Sequence, residues 1–575
     1  MLRRIFSYMK EYKKYAWLAL ICIGVEVVLE IMVPKLMADL IDIGVTNSDV
    51  PYIINKGIQM AVCAVAALIL GVGSARFSAL AGQGLGANIR KAEYEKLQSY
   101  SFSNIDHFSV SSLVTRLTSD VTNIQNAVST GMRPFGRSPV MLIFATTLAF
   151  QINSTLALVF LVALPVLAVM LIIIIINVGP RYGRMQGAVD LVNRCIEENL
   201  TAVRVVKSYV RGDYEIEKFR NVNDNLKNES EKAFGIAVLN MPAMQFVMYS
   251  TILGILLIGG RLINSGQMMI GQLTSFLSYV LLILNSLMMM SNVFLLMTRS
   301  LASAERIMKV IDEPIDITDE NAKDIEVKKG EIEFNHVWFK YKDTAKEYVL
   351  SDVSFHINAG QTVGIIGQTG SSKTTLIQLI PRLYDASKGE IKIDGINVKE
   401  YPVRHLRDAI SVVLQKNTLF SGSLIDNLRW GDENATLDEI KEACSIACVD
   451  EFIDRLPEGL DAEMGQEGVN VSGGQKQRIC IARAILKKPK VLILDDSTSA
   501  VDTATEGKIR NALAKKLPDM TKIIIAQRIS SVCHADQIII MDGGRVDAIG
   551  THESLLRTNK IYQEIYESQK EGADL

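Results

Sequence analysis

Three things that the sequence lacks narrow the class of protein. It lacks an excess of basic charge, because 61 Lys and Arg stand against 63 Asp and Glu for a formal net charge of −2, so nucleic acid is not an expected partner. None of its seven cysteines forms a CxxC pair or lies beside other metal ligands, and we interpret them as small core residues in a reducing cytoplasm. The basic start at residues 1–14 runs into a full-length apolar segment without a small-residue cleavage site, so we expect no cleavable signal peptide.

The composition changes once along the chain. A chain of 575 residues is too long for one hydrophobic core, so at least two domains are expected. Long apolar runs dominate up to residue 299, whereas from residue 312 charged residues alternate with short β-branched runs. We therefore predict a membrane domain at 1–310, a linker at 311–328 and a soluble domain at 329–575.

The first domain contains apolar stretches that match the thickness of a membrane, for which a helix needs ~20 mostly apolar residues. No charged residue lies between Arg137 and Arg181, and the polar turn at 151–155 divides that stretch into a predicted hairpin of two helices. The prediction is an α-helical domain of six membrane-spanning helices, at 15–34, 57–75, 137–181 (two helices), 233–260 and 262–298.

The distribution of basic residues predicts the orientation of these helices. The first loop has only Lys35 and Lys56 at its edges, whereas the N-terminal segment is basic, with Arg3, Arg4, Lys10, Lys13 and Lys14. The N-terminus and the soluble domain are therefore expected in the cytoplasm. Two charged stretches, 76–126 and 181–232, lie on the same side, and we predict helical extensions with turns at 102–112 and 209–217 that touch the soluble domain.

The soluble domain opens with a phosphate-binding pattern. Residues 364–375 read GIIGQTGSSKTT, follow a strand-like run that ends at Ile366, and open a helix with apolar periodicity from Leu376. This is the strand, loop and helix of a P-loop, in which Lys373 reaches the β- and γ-phosphates of ATP and the Thr374 hydroxyl ligates Mg²⁺. The predicted nucleotide-binding residues are Gly367, Gln368, Thr369, Gly370, Ser371, Ser372, Lys373, Thr374 and Thr375.

The P-loop has one unusual residue. The strict pattern has glycine where this chain has Ser372. We expect its Cβ to tighten the loop if the backbone angle there is unusual, while its N–H remains available as a donor.

Two further motifs follow. The apolar run Val491–Asp495 ends in a carboxylate placed to hold Mg²⁺, as a Walker B aspartate does. A VSGGQ segment precedes a helix, and its small residues and free N–H groups suit a second phosphate contact. Together, over essentially the whole chain, these motifs resemble ATP-binding cassette (ABC) transporters of the exporter type. The resemblance implies an α/β P-loop NTPase nucleotide-binding domain at 329–575, with an inserted helical subdomain at 428–486, behind the six-span membrane domain.

The resemblance also implies roles for individual residues. Tyr341 matches the aromatic residue that stacks on adenine, Gln415 matches the Q-loop residue that senses Mg²⁺, and Asp502 belongs to the D-loop at 499–502. Members of the family dimerise head to tail, so that each ATP lies between the P-loop of one chain and the signature motif of the other. The residues expected to act on the partner's ATP are Ser472, Gly473, Gly474 and Gln475.

The chain departs from the family pattern at the positions that support hydrolysis. The catalytic glutamate after Asp495 is replaced by Asp496, which is one methylene shorter, and the switch histidine is replaced by Gln527, which cannot exchange a proton near neutral pH. Gln466 also stands where a glutamate often precedes the signature. We expect the chain's own site to bind ATP and hydrolyse it poorly.

This asymmetry predicts the partner. An intact signature beside an impaired site fits a heterodimer in the bacterial plasma membrane, in which a second half-transporter supplies the glutamate and the histidine. Many bacterial multidrug exporters resemble this design. The alternatives are a homodimer with two slow sites and a non-pumping ATP-gated channel or sensor.

The membrane domain contains candidate substrate contacts. Glu26 and Glu30 lie one helical turn apart in the first span, and Arg76 ends the second. Ionisable residues at membrane depth are costly and mark functional sites. The alternative is that these residues face a water-filled cavity, or each other, without touching substrate. They suggest a cationic or amphipathic substrate among drugs, lipids and peptides.

Overall fold

The computed structural model describes residues 2–342, 344–496 and 501–571, and the chain forms two compact units. The first unit comprises residues 1–98 and 111–312, and the second comprises residues 99–110 and 313–575.

The first unit is helical. Its long helices are Lys13–Asp39, Val50–Gln98, Met132–Ile152, Ser154–Thr201, Asn240–Asn264 and Ile270–Asp312. A further helix of 26 residues spans Gly212–Ala237, and the shorter α-helices are Leu2–Ser7, Val110–Thr115, Val121–Ser129 and Val203–Ser208. The predicted break in the uncharged stretch is confirmed, because Asn153 has an extended backbone and its side chain accepts a hydrogen bond of 3.0 Å from the N–H of Leu156.

The length and composition of these helices suit a membrane. Among the described residues, five helical segments are long and apolar enough to cross one: Lys10–Val45, Val50–Gln98, Val110–Ile152, Gly212–Asn264 and Ile270–Met290. The remaining predicted crossing lies in the helix Ser154–Thr201, in which several side chains are outside the described residues.

The core of the first unit follows from residue spacing. Ile23, Val27 and Ile31 recur every four positions and form one buried stripe on the first long helix. This stripe belongs to the same core cluster as Phe276 and Tyr279, and the Tyr279 hydroxyl donates a hydrogen bond of 2.9 Å to the carbonyl of Ile31.

The second unit is built on β-sheets. The strands among its described residues are β1 Ile332–Phe339, β2 Leu350–Ile357, β3 Thr362–Ile366, β4 Lys388–Ile393, β5 Ile396–Asn397, β6 Ile410–Val413, β7 Gly422–Ser423, β8 Glu463–Met464, β9 Val491–Asp495, β10 Thr521–Ile525, β11 Gln537–Asp542 and β12 Arg545–Gly550. The six-stranded sheet has the order β12-β11-β3-β10-β9-β6, the antiparallel four-stranded sheet has the order β2-β1-β4-β5, and β7 pairs with β8. The shorter α-helices outside the subdomain described next are Lys373–Leu379, Val403–Asp408, Thr503–Lys516, Ile529–Val532, His552–Thr558 and Lys560–Glu571.

The register of the large sheet places the candidate site. All five residues of β9 are buried, as expected for a parallel strand covered on both faces. Ile525 of β10 pairs with Asp495 of β9 on one side and with Ile365 of β3 on the other. The carboxyl ends of β3, β9 and β10 therefore meet at one edge of the sheet, which is the usual ligand-binding edge of such folds.

The predicted helical subdomain is present between β6 and β9. It contains the helices Leu424–Arg429, Leu437–Ile446, Asp450–Ile453 and Gly473–Leu486. Capping boxes at Ser423, Thr436 and Ser472 satisfy the N–H groups at the starts of three of these helices.

A short helix, Phe102–Asp106, also belongs to the second unit. The hydroxyl of Tyr384 donates a hydrogen bond of 2.7 Å to Asp106, and the amide of Asn104 donates one of 2.8 Å to the carbonyl of Pro314. The turn predicted at 102–112 thus contains a helix that packs on the soluble fold. The turn predicted at 209–217 lies in the first unit.

Candidate nucleotide-binding site

The P-loop connects β3 to the helix Lys373–Leu379. The ammonium of Lys373 donates to the carbonyls of Gly367 and Gln368 at 2.8 and 2.9 Å, and to the hydroxyl of Ser371 at 3.2 Å. All three acceptors are neutral, and within the described part of the chain Lys373 forms no ion pair. Burial lowers the pKa of Lys373, and the negative charges of Asp496 and Asp495 offset part of that decrease. Its positive charge remains available to a phosphate.

The loop is close to its backbone neighbours. A Cβ at Gly367 would lie 2.2 Å from the carbonyl oxygen of Met541, so only glycine fits at the first position. Ser372 has φ +70° and ψ +24°, in the left-handed region that L-residues with a Cβ disfavour. The unusual angle considered for this position is therefore confirmed, and the loop carries local strain where the strict pattern has glycine.

Hard oxygen ligands lie beside the loop. The hydroxyl of Thr374 donates a hydrogen bond of 3.2 Å to Oδ1 of Asp495, while Oδ2 of Asp495 is buried and has no hydrogen-bond partner among the described residues. Burial raises the pKa of Asp495. An orphaned carboxylate oxygen next to a hydroxyl fits Mg²⁺, which prefers oxygen ligands and binds through one or two carboxylates together with substrate phosphates.

The residues that replace the catalytic glutamate and the switch histidine contact each other. Nε2 of Gln527 donates a hydrogen bond of 2.8 Å to Oδ2 of Asp496, and Nε2 of Gln415 approaches the same oxygen at 3.4 Å. Asp496 has φ +46°, directly after β9. Burial raises the pKa of Asp496, and the hydrogen bonds from Gln527 and Gln415 offset part of that increase.

These groups line one cavity of about 320 Å³. Its lining residues are Thr369, Gly370, Ser371, Ser372, Lys373, Thr374, Thr375, Gln415, Asp495, Asp496, Ile525 and Gln527. Gly367 and Gln368 contribute the carbonyls that hold Lys373. The spacing of the motifs anticipates most of this set, but it does not reveal Ile525 or the direct contact between Asp496 and Gln527.

Tyr341 stands beside the cavity. Its hydroxyl lies 2.9 Å from Oγ1 of Thr375 and donates at 3.3 Å to Gln378, while 42% of the residue is exposed. Its ring meets those of Phe339 and Tyr384 edge to face. An exposed ring that is held in place by its neighbours is suited to stacking. Stacking of Tyr341 on adenine stays a prediction.

The signature motif lies apart from this cavity. Ser472 begins the helix Gly473–Leu486, where its N–H donates a hydrogen bond of 2.8 Å to Gln475 and its side chain accepts one of 3.3 Å from the Gln475 N–H. Ser472 and Gly473 are exposed, and none of the described residues of the motif lines the P-loop cavity. The structure brings the P-loop, Asp495, Gln415 and Gln527 together and leaves the signature facing solvent.

Asp502 has a local structural role. Its carboxylate caps the helix Thr503–Lys516 by accepting a hydrogen bond of 2.9 Å from the N–H of Thr505, and this bond lowers its pKa. Ser499 and Ala500, the other predicted D-loop positions before Val501, lie outside the described residues.

A second cavity, of about 790 Å³, lies in the first unit and is lined by Glu26, Glu30 and Arg133. Glu26 is only 3% exposed and accepts from Arg133 at 2.6 Å and from Arg137 at 3.3 Å. Arg137 also pairs with Glu30 at 2.5 Å. The two glutamates thus face two arginines rather than each other, and the four charges balance. Gly71 packs against this cluster, because a Cβ there would lie 3.2 Å from Glu26 and 3.3 Å from Arg133.

Both units match known families of ABC transporter domains. The ABC transporter transmembrane region family matches residues 16–287, and the ABC transporter family matches residues 350–499. An uncharacterized ABC transporter ATP-binding protein of Bacillus subtilis is 37% identical over 575 residues, which cover 100% of each chain. An ATP-dependent lipid A-core flippase of Pseudomonas putida is 32% identical over 98% of this chain and 95% of its own. The solved structure of a bacterial Atm1-family ABC exporter with ATP bound has the same fold, with a TM-score of 0.84 at 22% identity over 97% of this chain and 99% of that one.

Proposed function

The chain belongs to the ABC transporter family, as a half-transporter with one transmembrane and one nucleotide-binding domain, and we propose that its own site binds ATP but hydrolyses it slowly. The observation that carries this proposal is the 2.8 Å hydrogen bond between Gln527 and Asp496. The carboxylate of Asp496, which follows β9, accepts hydrogen bonds from the side-chain amides of Gln527 and Gln415. An attacking water has to be oriented by a carboxylate within hydrogen-bond reach, and here that carboxylate is both shorter and already engaged.

The binding groups of the same site are intact. Lys373 carries its positive charge at the P-loop and forms no ion pair among the described residues, and Thr374 and Asp495 offer oxygen ligands. Mg²⁺ held by Thr374 and Asp495 would neutralise charge on the β- and γ-phosphates. Lys373 and the N–H groups at the start of its helix bind and orient the phosphates, and Tyr341 positions the adenine. The site therefore retains nucleotide more readily than it turns it over.

The exposed signature, together with the impaired hydrolytic groups Asp496 and Gln527, supports an unequal pair. Ser472 and Gln475 form a complete capping box on an exposed helix N-terminus, which is a ready phosphate-binding surface. Because this surface is not part of the chain's own cavity, we propose that it completes the ATP site of a different half-transporter that carries the catalytic glutamate and switch histidine. ATP binding at both sites closes the pair, and hydrolysis at the partner's site reopens it.

The membrane setting follows from the basic N-terminal segment. We propose that the N-terminus and the nucleotide-binding domain lie in the cytoplasm, below the bacterial plasma membrane. The substrate is proposed to be a small amphipathic molecule or lipid that enters the cavity lined by Glu26, Glu30 and Arg133. The balance of two carboxylates and two guanidiniums argues against a purely cationic substrate, since the glutamates already have partners.

The experiment that tests the proposal uses the chain purified together with the proposed partner half-transporter. Replacing the partner's catalytic glutamate by glutamine is expected to reduce ATP turnover by about 100-fold or more, since a displaced or missing base costs that much. Turnover that continues within about twofold would mean that this chain's own site hydrolyses at an ordinary rate. Uptake into sealed inverted vesicles then separates a pump, which accumulates substrate against a gradient, from an ATP-gated channel, which does not. Equal turnover by the chain alone and by the pair would favour the homodimer.

A further inference from the structure

A third cavity lies in the first unit, at the start of the first long helix. It measures about 520 Å³, within the range of ligand pockets. Apolar side chains dominate its lining, among them Ile5 and Phe6 of the helix Leu2–Ser7, Trp17, Phe135 and Ala304. We refer to it as the N-terminal cavity. It shares no lining residue with the cavity that contains Glu26 and Glu30.

Among the described residues that line the N-terminal cavity, one is charged. That residue is Lys13, which is exposed and forms no ion pair within the described part of the chain. Two neighbouring basic residues are otherwise engaged, because Arg4 pairs with Asp312 and the ammonium of Lys14 lies 5.0 Å from the ring centre of Tyr15. Within the described part of the chain, the cavity thus presents an apolar interior and one cation without an ion-pair partner at its rim.

The surrounding residues suit the boundary between hydrocarbon and water. Trp17 is 68% exposed and lies one helical turn after Lys13, and Phe6 and Phe135 are also exposed. Tryptophan concentrates at membrane interfaces, and lysine extends its ammonium from an apolar surface toward headgroups. The N-terminal segment up to residue 14 has five basic residues and the single acid Glu11. Such a segment attracts anionic lipid.

From this combination we propose that the N-terminal cavity binds an acyl chain of an anionic phospholipid, with the lipid phosphate against Nζ of Lys13. The apolar lining accommodates the acyl chain, and the unpaired ammonium selects a negative headgroup over a neutral one. The occupant is a membrane lipid that stays bound at this position, distinct from the transported substrate. A lipid bound there holds the helix Leu2–Ser7 and the start of the first spanning helix at the membrane surface.

Trp17 provides a direct probe, because the chain has only three tryptophans. The other two, Trp338 and Trp430, belong to the second unit, so the W338F/W430F variant of the full chain reports on Trp17 alone. The variant is reconstituted into phosphatidylcholine vesicles that contain a small fraction of brominated phosphatidylglycerol or, in a parallel sample, brominated phosphatidylcholine. Bromine quenches tryptophan fluorescence only at short range.

The expected result is that brominated phosphatidylglycerol quenches Trp17 at a mole fraction about fivefold lower than brominated phosphatidylcholine, the preference that one basic residue near an anionic surface provides. Lys13→Gln should remove this preference. Lys14→Gln removes the same charge from the adjacent, exposed position and should retain it. Because Lys13 and Lys14 are both exposed, neither variant disturbs the core.

Three outcomes would overturn the proposal. Equal quenching by the two brominated lipids means that the site has no preference for an anionic headgroup. A preference that survives Lys13→Gln means that another group selects the lipid. The absence of quenching by either lipid means that a protein surface covers the cavity. None of these readouts depends on ATP hydrolysis, so they are independent of the proposed asymmetry of the ATP sites.

Discussion

Gln527 donates a hydrogen bond of 2.8 Å to Oδ2 of Asp496, so the residues that replace the catalytic glutamate and the switch histidine of the ABC transporter pattern contact each other. Asp496 follows β9 and Gln527 follows β10, and these strands pair in parallel with Asp495 beside Ile525. The two substitutions are therefore coupled, and their effects on hydrolysis should not add independently. Asp496→Glu alone places a longer carboxylate opposite Gln527, and Gln527→His alone places an imidazole opposite the shorter Asp496.

Ser372→Gly is expected to stabilise the nucleotide-binding domain. Ser372 has φ +70°, and a residue with a Cβ in the left-handed region costs about 1–2 kcal/mol of folding free energy. Glycine removes this cost, but its greater conformational freedom in the unfolded chain offsets part of the gain. The melting temperature of the purified chain should rise by a few degrees. Ser371→Gly is the matched control, because Ser371 is buried, has no positive φ and accepts from Lys373, so its loss should lower the melting temperature. A lower value for Ser372→Gly would contradict the strain argument.

Tyr384→Phe is expected to loosen the helix Phe102–Asp106. The variant removes the 2.7 Å hydrogen bond to Asp106 but keeps the ring contacts with Phe102 and Tyr341. Burial, together with that hydrogen bond, raises the pKa of Tyr384, so the hydroxyl stays a donor at any physiological pH. A hydrogen bond to a charged group is worth about 1.5–3 kcal/mol. Hydrogen–deuterium exchange of residues 99–110 should therefore accelerate by about tenfold or more.

Tyr401→Phe is the control for that measurement. The Tyr401 hydroxyl is also buried and donates a hydrogen bond of 2.9 Å, but its acceptor is the carbonyl of Ile393. Exchange of residues 99–110 should not change in this variant. If both variants accelerate exchange equally, the effect is a general destabilisation and the Asp106 contact does not hold the helix.

Arg137→Gln is expected to destabilise the membrane unit more than Arg133→Gln. Arg137 touches both Glu26 and Glu30 and its side chain is 16% exposed, whereas Arg133 touches Glu26 and is 42% exposed. Removing one partner of a buried ion pair costs about 3–5 kcal/mol because the remaining charge is uncompensated. Adding Glu30→Gln to Arg137→Gln should recover part of the melting temperature. A double variant less stable than the Arg137→Gln single variant would show that the Glu30 pairing does not account for the loss.

The sequence predicts the P-loop, the Walker B strand and the helical subdomain because each depends on residues that are close along the chain. The contacts that decide the chemistry depend on which elements meet. Arg133 and Arg137 have the same one-turn spacing as Glu26 and Glu30, which is a visible signal, but pairing them requires the register between two helices. Likewise, the contact between Asp496 and Gln527 follows from the adjacency of β9 and β10, which strand periodicity alone does not provide. The left-handed angle at Ser372 becomes evident only in the folded loop.

The most direct measurement uses the pair in which the partner's catalytic glutamate is replaced by glutamine, so that this chain's own site limits hydrolysis. Single-turnover hydrolysis of γ-labelled ATP is compared between the pair that contains the wild-type chain and the pair that contains the Asp496→Glu/Gln527→His double variant. The account predicts that both pairs bind ATP with similar affinity, since Lys373, Thr374 and Asp495 are unchanged. The double variant should hydrolyse at least about tenfold faster, because it regains a carboxylate that reaches the attacking water and a side chain that exchanges a proton. Equal hydrolysis by the two pairs, with ATP bound to both, would contradict the claim that Asp496 and Gln527 impair this site.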